Sequence, residues 1–299
     1  MRSRLTGKLR RILPYLLCAA LAVACSSVPR GPVEVHTARR RAETQLELAL
    51  KEASRGNYTR AQEMLAEGRR IAIASDDPVL LVRTSLAGAN IRFALGAEDA
   101  ARDDFEHARR RAQESGDATL IALCGIYEAR WKLLTQPHDR AATVRDQALA
   151  AAQTLGKNSG DTAFALNIAA LADKALGNYA AAEASLKKAR AIHLEHNQLE
   201  AAAYDWYLSA SVFSVAGQTG AAVAAIHEAI NLDRKAENGF GLGMDYLGLG
   251  DIYLKAKARN DAIEAYERAA AIFSASGFEL DAQIAAEKAA ALQAALIEE

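Results

Sequence analysis

Residues 243–273 read GMDYLGLGDIYLKAKARNDAIEAYERAAAIF, and within them Gly250, Ala262 and Ala269 set a register that runs back along the whole chain. The middle residue recurs as Ala61, Ala101, Ala141, Ala182, Ala222 and Ala262, at intervals of 40, 40, 41, 40 and 40 residues. Seven positions after each stands Gly68, Ala108, Ala148, Ala189, Ala229 or Ala269. Twelve positions before each stands Ala49, Ala89, Ala129, Ala170, Ala210 or Gly250. Three small-residue series in phase predict six stacked helical hairpins. Helices approach to roughly 8 Å between axes only where Ala or Gly occupies the crossing points.

Turn chemistry points the same way. Gly56, Gly96, Gly177 and Gly217 stand where first helices should end, because glycine takes the left-handed conformation without a Cβ penalty. Pro137 should stop the helix in the third copy, and the sixth offers only Lys257 to Asn260. Second helices should end at Asp76-Asp77-Pro78, Ser115-Gly116-Asp117, Ser159-Gly160-Asp161 and Asn238-Gly239, where a polar side chain can cap the next helix. No stretch alternates apolar and polar residues as a strand does, so the fold class is all-α.

The sixth copy carries a family likeness. Tyr246, Leu249, Gly250, Tyr253, Ala262, Tyr266 and Ala269 fall on the spacing of tetratricopeptide repeats (TPR), and the chain resembles that family over about Ala42 to Phe273. Tyr246 replaces the family's tryptophan, whose place Trp206 keeps one copy earlier. The closing proline is absent and the loop is about six residues longer, hence the forty-residue period. The resemblance implies a superhelical domain over 42–299, with a capping helix from about Phe278.

It also implies a concave groove lined by the second, fifth, ninth, twelfth and thirteenth residues of each repeat. On that count the candidate partner-binding residues are Asn90, Arg130, Asn167, Tyr204, Tyr207, Ser211 and Asp251. Amides, a guanidinium and aromatic rings along one face suit an extended or helical peptide. Relatives that bind acidic chaperone tails carry Lys and Asn where this chain has Leu46 and Leu50, so such tails are excluded.

The amino terminus predicts a location. Arg2, Arg4, Lys8, Arg10 and Arg11 precede the apolar run Ile12 to Ala24, about half a bilayer span, which reads as a signal peptide over 1–24. Leu21-Ala22-Val23-Ala24-Cys25 resembles a bacterial lipobox, although Ala22 stands where the family prefers leucine. The resemblance implies a triacylated Cys25, and three chains exceed what stable anchoring requires. Ser26 after that cysteine favours the outer membrane, facing the periplasm. Residues 25–41 would form a tether whose stretch from Ser26 to Thr37 reaches at most about 40 Å, with Arg39-Arg40-Arg41 as a solvated first helical turn.

Composition closes off other functions. The formal charge is −1, and loss of residues 1–24 removes five cations and no acid, leaving −6, a poor balance for nucleic acid. Cys124 would be the one cysteine within the repeats, which rules out an internal disulfide and reads as a buried thiol. His193 and His196 lie one turn apart, but without the zinc-protease order they read as helix-end histidines facing the carboxyl dipole. No catalytic or metal-binding constellation emerges and no cofactor is implied. The leading expectation is a non-enzymatic, membrane-tethered adaptor binding a protein or peptide of the bacterial envelope. Two alternatives are a transporter-associated receptor, with a small-ligand pocket among Phe164, Tyr204, Trp206 and Tyr207, and, more remotely, an α/α-toroid enzyme.

Overall fold

The computed structural model describes residues 37–135 and 137–298; the basic start, the apolar run and Cys25 lie outside the described residues. Among the described residues there are thirteen helices and no strand. Six hairpins follow one another: α1 (Thr37–Ser54) with α2 (Tyr58–Ala74), α3 (Pro78–Ala94) with α4 (Glu98–Ser115), α5 (Ala118–Thr135) with α6 (Pro137–Thr154), α7 (Gly160–Ala175) with α8 (Tyr179–Glu195), α9 (Leu199–Val215) with α10 (Thr219–Lys235), and α11 (Gly239–Lys255) with α12 (Arg259–Ala275). A single helix, α13 (Glu279–Glu298), packs on α12 as the cap. This is a TPR-like α-solenoid.

Every residue of the three small-residue series is buried. In α11 the closeness is extreme: a Cβ at Gly243 would lie 2.6 Å from the Phe273 ring, one at Gly248 2.9 Å from the Tyr207 ring, and one at Gly250 would overlap the edge of the Tyr266 ring. First helices are packed on more than one side, so α3 buries ten of its residues, whereas the outer α4 buries five. First helices therefore read as apolar nearly all round, and second helices carry a single apolar stripe.

The turns mostly follow the sequence, with informative departures. Gly56, Gly96, Gly177 and Gly217 take positive φ, as expected. In the sixth hairpin Lys257 adopts φ 62° without being glycine, held by its N–H to the Leu254 carbonyl at 3.0 Å. Pro137 does not merely end a helix; it opens α6, where its missing N–H costs nothing. After α6 the left-handed residue is Gly156, not Gly160, which already belongs to α7. The caps are Asp77, Asp117, Ser159 and Asn238, whose side-chain oxygens accept backbone N–H groups at 2.7 to 3.3 Å. Residues 37–41 of the expected tether are helical, because Arg39 pairs with Glu43 at 3.0 Å and with Asp77 at 3.5 Å, tying that first turn to the second hairpin.

The winding brings distant repeats together. Arg83 of α3 pairs with Asp161 of α7, two hairpins on. Arg55, in the first turn, donates to Glu200 at the start of α9, and Lys51 lies 3.7 Å from the same carboxylate. A Cβ at the neighbouring Gly56 would lie 3.0 Å from the Phe240 ring of α11. The end of the first helix and its turn thus touch the starts of the fifth and sixth hairpins.

Gly250→Ala tests the packing constraint. Alanine gains about 1 kcal/mol in a helix interior, but the added methyl collides with Tyr266, which is buried and whose hydroxyl is tied to Asp251 at 2.5 Å. We expect a net loss of about 1–3 kcal/mol, seen as faster hydrogen exchange in α11–α13 and a lower thermal midpoint. An unchanged or raised midpoint would contradict the constraint.

Candidate functional site: the concave wall

The concave wall is built by α1, α3, α5, α7, α9 and α11, whose 40-residue offsets place equivalent positions side by side. Arg130 of α5 donates to the Asn90 side-chain oxygen of α3, so the structure brings these two together as a guanidinium–amide pair. Tyr204 and Tyr207 of α9 stack at 6.3 Å between centroids, and half of Tyr204 is open to solvent. Tyr127 of α5 packs against Phe164 of α7 at 5.1 Å, an aromatic pair of which sequence reasoning had named only Phe164. Burial pushes the Tyr127 and Tyr207 phenols up to about 12, so both are neutral donors at physiological pH.

Three other candidates have prior engagements. Asn167 is buried, and its amide donates to Asp205 at 2.8 Å, so the position expected to face the groove is turned into the wall. A buried carboxylate needs a donor more than the groove needs an amide there. Ser211 accepts from Lys174, and Asp251 accepts from the Tyr266 hydroxyl at 2.5 Å and from Lys288 of the cap at 2.6 Å.

The small-ligand alternative placed four aromatic residues together, and only Tyr204 and Tyr207 pair among them. Phe164 goes with Tyr127, Tyr204 with Tyr207, and Trp206 lies under the Arg190 guanidinium, 3.5 Å from its ring centre. Cys124 is buried, with its thiol pushed up to about 11 by desolvation, as befits an inert core residue. The two histidines stand at the end of α8 as expected, and each has a partner from another element. His193 binds the buried Asp205 at 2.7 Å through Nδ1, and His196 Nε2 meets the Asn158 carbonyl at 2.9 Å.

The His193–Asp205 pair has a counterpart forty residues later, where the equivalent positions are Asp233 and Asp245. A complementary pair is thus replaced by two acids at the junction of the fifth and sixth hairpins. Asp233 accepts from Asn238 Nδ2 at 2.9 Å, and its other oxygen packs against Gly241 so closely that a Cβ there would overlap it. Asp245 Oδ2 is buried without a hydrogen-bond partner among the described residues. Burial raises Asp233 to about 7; burial and the like charge of Asp233 push Asp245 up to about 9.

No protein-family model matches this chain, and no curated protein matches it. Solved structures are similar in fold. A Rap protein complexed with Competence and Sporulation Factor has a TM-score of 0.57 at 17% identity, over 86% of this chain and 76% of that one. The apo form of RapI gives 0.55 at 10% identity, covering 84% and 71%. BtubC from P. vanneervenii gives 0.53 at 19% identity, covering 79% and 92%. At these identities the likeness speaks for the fold alone, a helical-repeat solenoid.

The acid pair makes stability depend on pH. Because Asp245 is an acid near 3.9 when unfolded and near 9 when folded, its contribution is whole at low pH and is lost as pH rises between those values. Asp245→Asn, which needs no proton, should therefore flatten the fall in urea midpoint between pH 5 and 9. At pH 9 the variant should be more stable by about 1–3 kcal/mol. Parallel slopes for the two proteins would remove Asp245 as the cause.

Proposed function

We propose that this protein is a lipid-anchored scaffold of the bacterial envelope that holds an extended segment of a partner protein along its concave wall. The observation that carries the reading is the lining itself: the Arg130–Asn90 pair and the aromatic pairs Tyr127–Phe164 and Tyr204–Tyr207 lie on successive first helices. Amide and guanidinium groups satisfy a peptide backbone or a carboxylate, and the rings seat apolar side chains. The fold likeness to a Rap protein solved with Competence and Sporulation Factor supports a protein or peptide ligand. Binding, not catalysis, fits a site whose His193 and Cys124 are spent on structure.

The anchor rests on the sequence. Cys25 would be the acylated first residue after removal of 1–24, with Ser26 directing the protein to the outer membrane, facing the periplasm. About a dozen further residues separate it from α1, so the solenoid stands off the lipid surface.

Photocrosslinkers placed in cells at Asn90, Arg130 and Tyr207 should capture one envelope protein in common, while Lys188 on the outer α8 should not. Capture only from Lys188 would defeat the groove as the binding face. For the anchor, Cys25→Ala should abolish labelling by an alkynyl palmitate analogue and release the protein from the membrane fraction. Labelling that persists in the variant would rule out acylation at that residue.

A further inference from the structure

Three cations occupy the rim formed by the carboxyl-terminal halves of the concave helices, and all three have neutral partners. Arg130 of α5 donates to the Asn90 amide, Lys174 of α7 to the Ser211 hydroxyl, and Lys255 of α11 to the Ser214 carbonyl at 2.7 Å. Other cations of the inner helices sit on carboxylates: Lys51 on Glu200, Arg83 on Asp161, Arg92 on Asp104. The acids nearest in sequence have other partners: Glu128 pairs with Lys132, Asp173 accepts from Asn178, and Asp251 pairs with Lys288.

The arrangement around α9 is a cradle. Ser211 and Ser214 are three residues apart and share a face of that helix. They receive Lys174 from the preceding hairpin and Lys255 from the following one. The two ammonium groups sense each other: burial first, and then the like charge of Lys255, lower the affinity of Lys174 for its proton. A chain whose acids outnumber its bases, 37 to 36, nevertheless collects three cations without counter-charge on one inner edge. Attraction to helix carboxyl ends accounts for Lys255, which reaches a terminal carbonyl, but not for Lys174 on a serine hydroxyl or Arg130 on an amide.

We infer that this rim is a binding site for an acidic stretch of an extended polypeptide, whose carboxylates sit on Arg130, Lys174 and Lys255. The inference rests on the scaffold reading above and names its ligand class. The cations stand at ninth, twelfth and thirteenth repeat positions of the third, fourth and sixth hairpins, and not in the first hairpin, where Leu46 and Leu50 exclude chaperone tails. Neighbouring first helices lie roughly 10 Å apart, and an extended chain rises about 3.3 Å per residue. Lys174 and Lys255 converge on α9, so two nearby acids of the ligand face them, and a third, further along the chain, faces Arg130 on α5. The hydroxyls of Ser211 and Ser214 add donors beside the two lysines, and the rings of Tyr204 and Tyr207 lie further along the same helix for the residues between.

The full-length chain in detergent, titrated at low salt against fluorescein-labelled (Glu-Gly-Gly)4, (Gln-Gly-Gly)4 and (Lys-Gly-Gly)4 in fluorescence anisotropy, tests this directly. The glutamate peptide alone should bind, and Lys174→Gln/Lys255→Gln should weaken it at least tenfold. Lys174→Arg/Lys255→Arg should keep the binding, and Lys187→Gln/Lys188→Gln on the outer face should leave it unchanged; circular dichroism checks that each variant is folded. Equal binding of the glutamate and glutamine peptides, or equal losses from the inner and outer lysine pairs, would overturn the inference. If the glutamate peptide fails while crosslinks from Asn90 and Tyr207 persist, the acidic ligand is wrong and the scaffold stands. If the crosslinks fail as well, both fall.

Discussion

Close approach of backbones at Ala and Gly is the constraint on which this molecule depends. The eighteen small residues in three phased series are all buried, and where glycine replaces alanine in α11 the freed volume is taken by the rings of Phe273, Tyr207 and Tyr266. Dispersion contacts fade within an ångström of optimal separation. A methyl too many at one crossing therefore tilts the hairpins that follow, because each repeat is oriented chiefly by its neighbours. The curvature that gives the protein a concave wall is the sum of these crossings.

Polar groups buried between hairpins refine that stacking. Asp104 is held by Arg69 at 2.8 Å and by Arg92, and Asp205 by His193 and Asn167, so these junctions carry satisfied charges that specify one packing. The Asp233–Asp245 junction departs from the pattern, since two acids share one dry place and one of them must keep its proton. It adjoins the region where Arg55 reaches Glu200 and Phe240 covers Gly56, the contacts that join the first turn to the last two hairpins. The part of the solenoid that meets its own beginning is thus also its most proton-dependent part.

The wall divides its chemistry along the helix axes. On α7 and α9 the rings of Phe164, Tyr204 and Tyr207 stand on the amino-terminal side of Lys174 and of the serines that receive Lys174 and Lys255. A ligand lying across the repeats meets rings on one flank and positive charge on the other. This asymmetry gives the groove a direction as well as an affinity, because carboxylates in a bound segment are steered to a single edge.

The period of the small residues determined by itself the hairpin count, the helix register, the glycine turns and the cap, because those properties repeat locally and leave a local trace. Lys257 left no such trace: neighbouring hydrogen bonds hold it in a conformation that its own preferences disfavour. The inward turn of Asn167, the His193–Asp205 pair and the contact of Arg55 with Glu200, 145 residues away, were decided only by the tertiary structure. Sequence position says which face of a helix a residue occupies. Whether that residue meets a buried acid, an open groove or the far end of the chain depends on superhelical pitch, which accumulates over all six hairpins and is written in no single one of them.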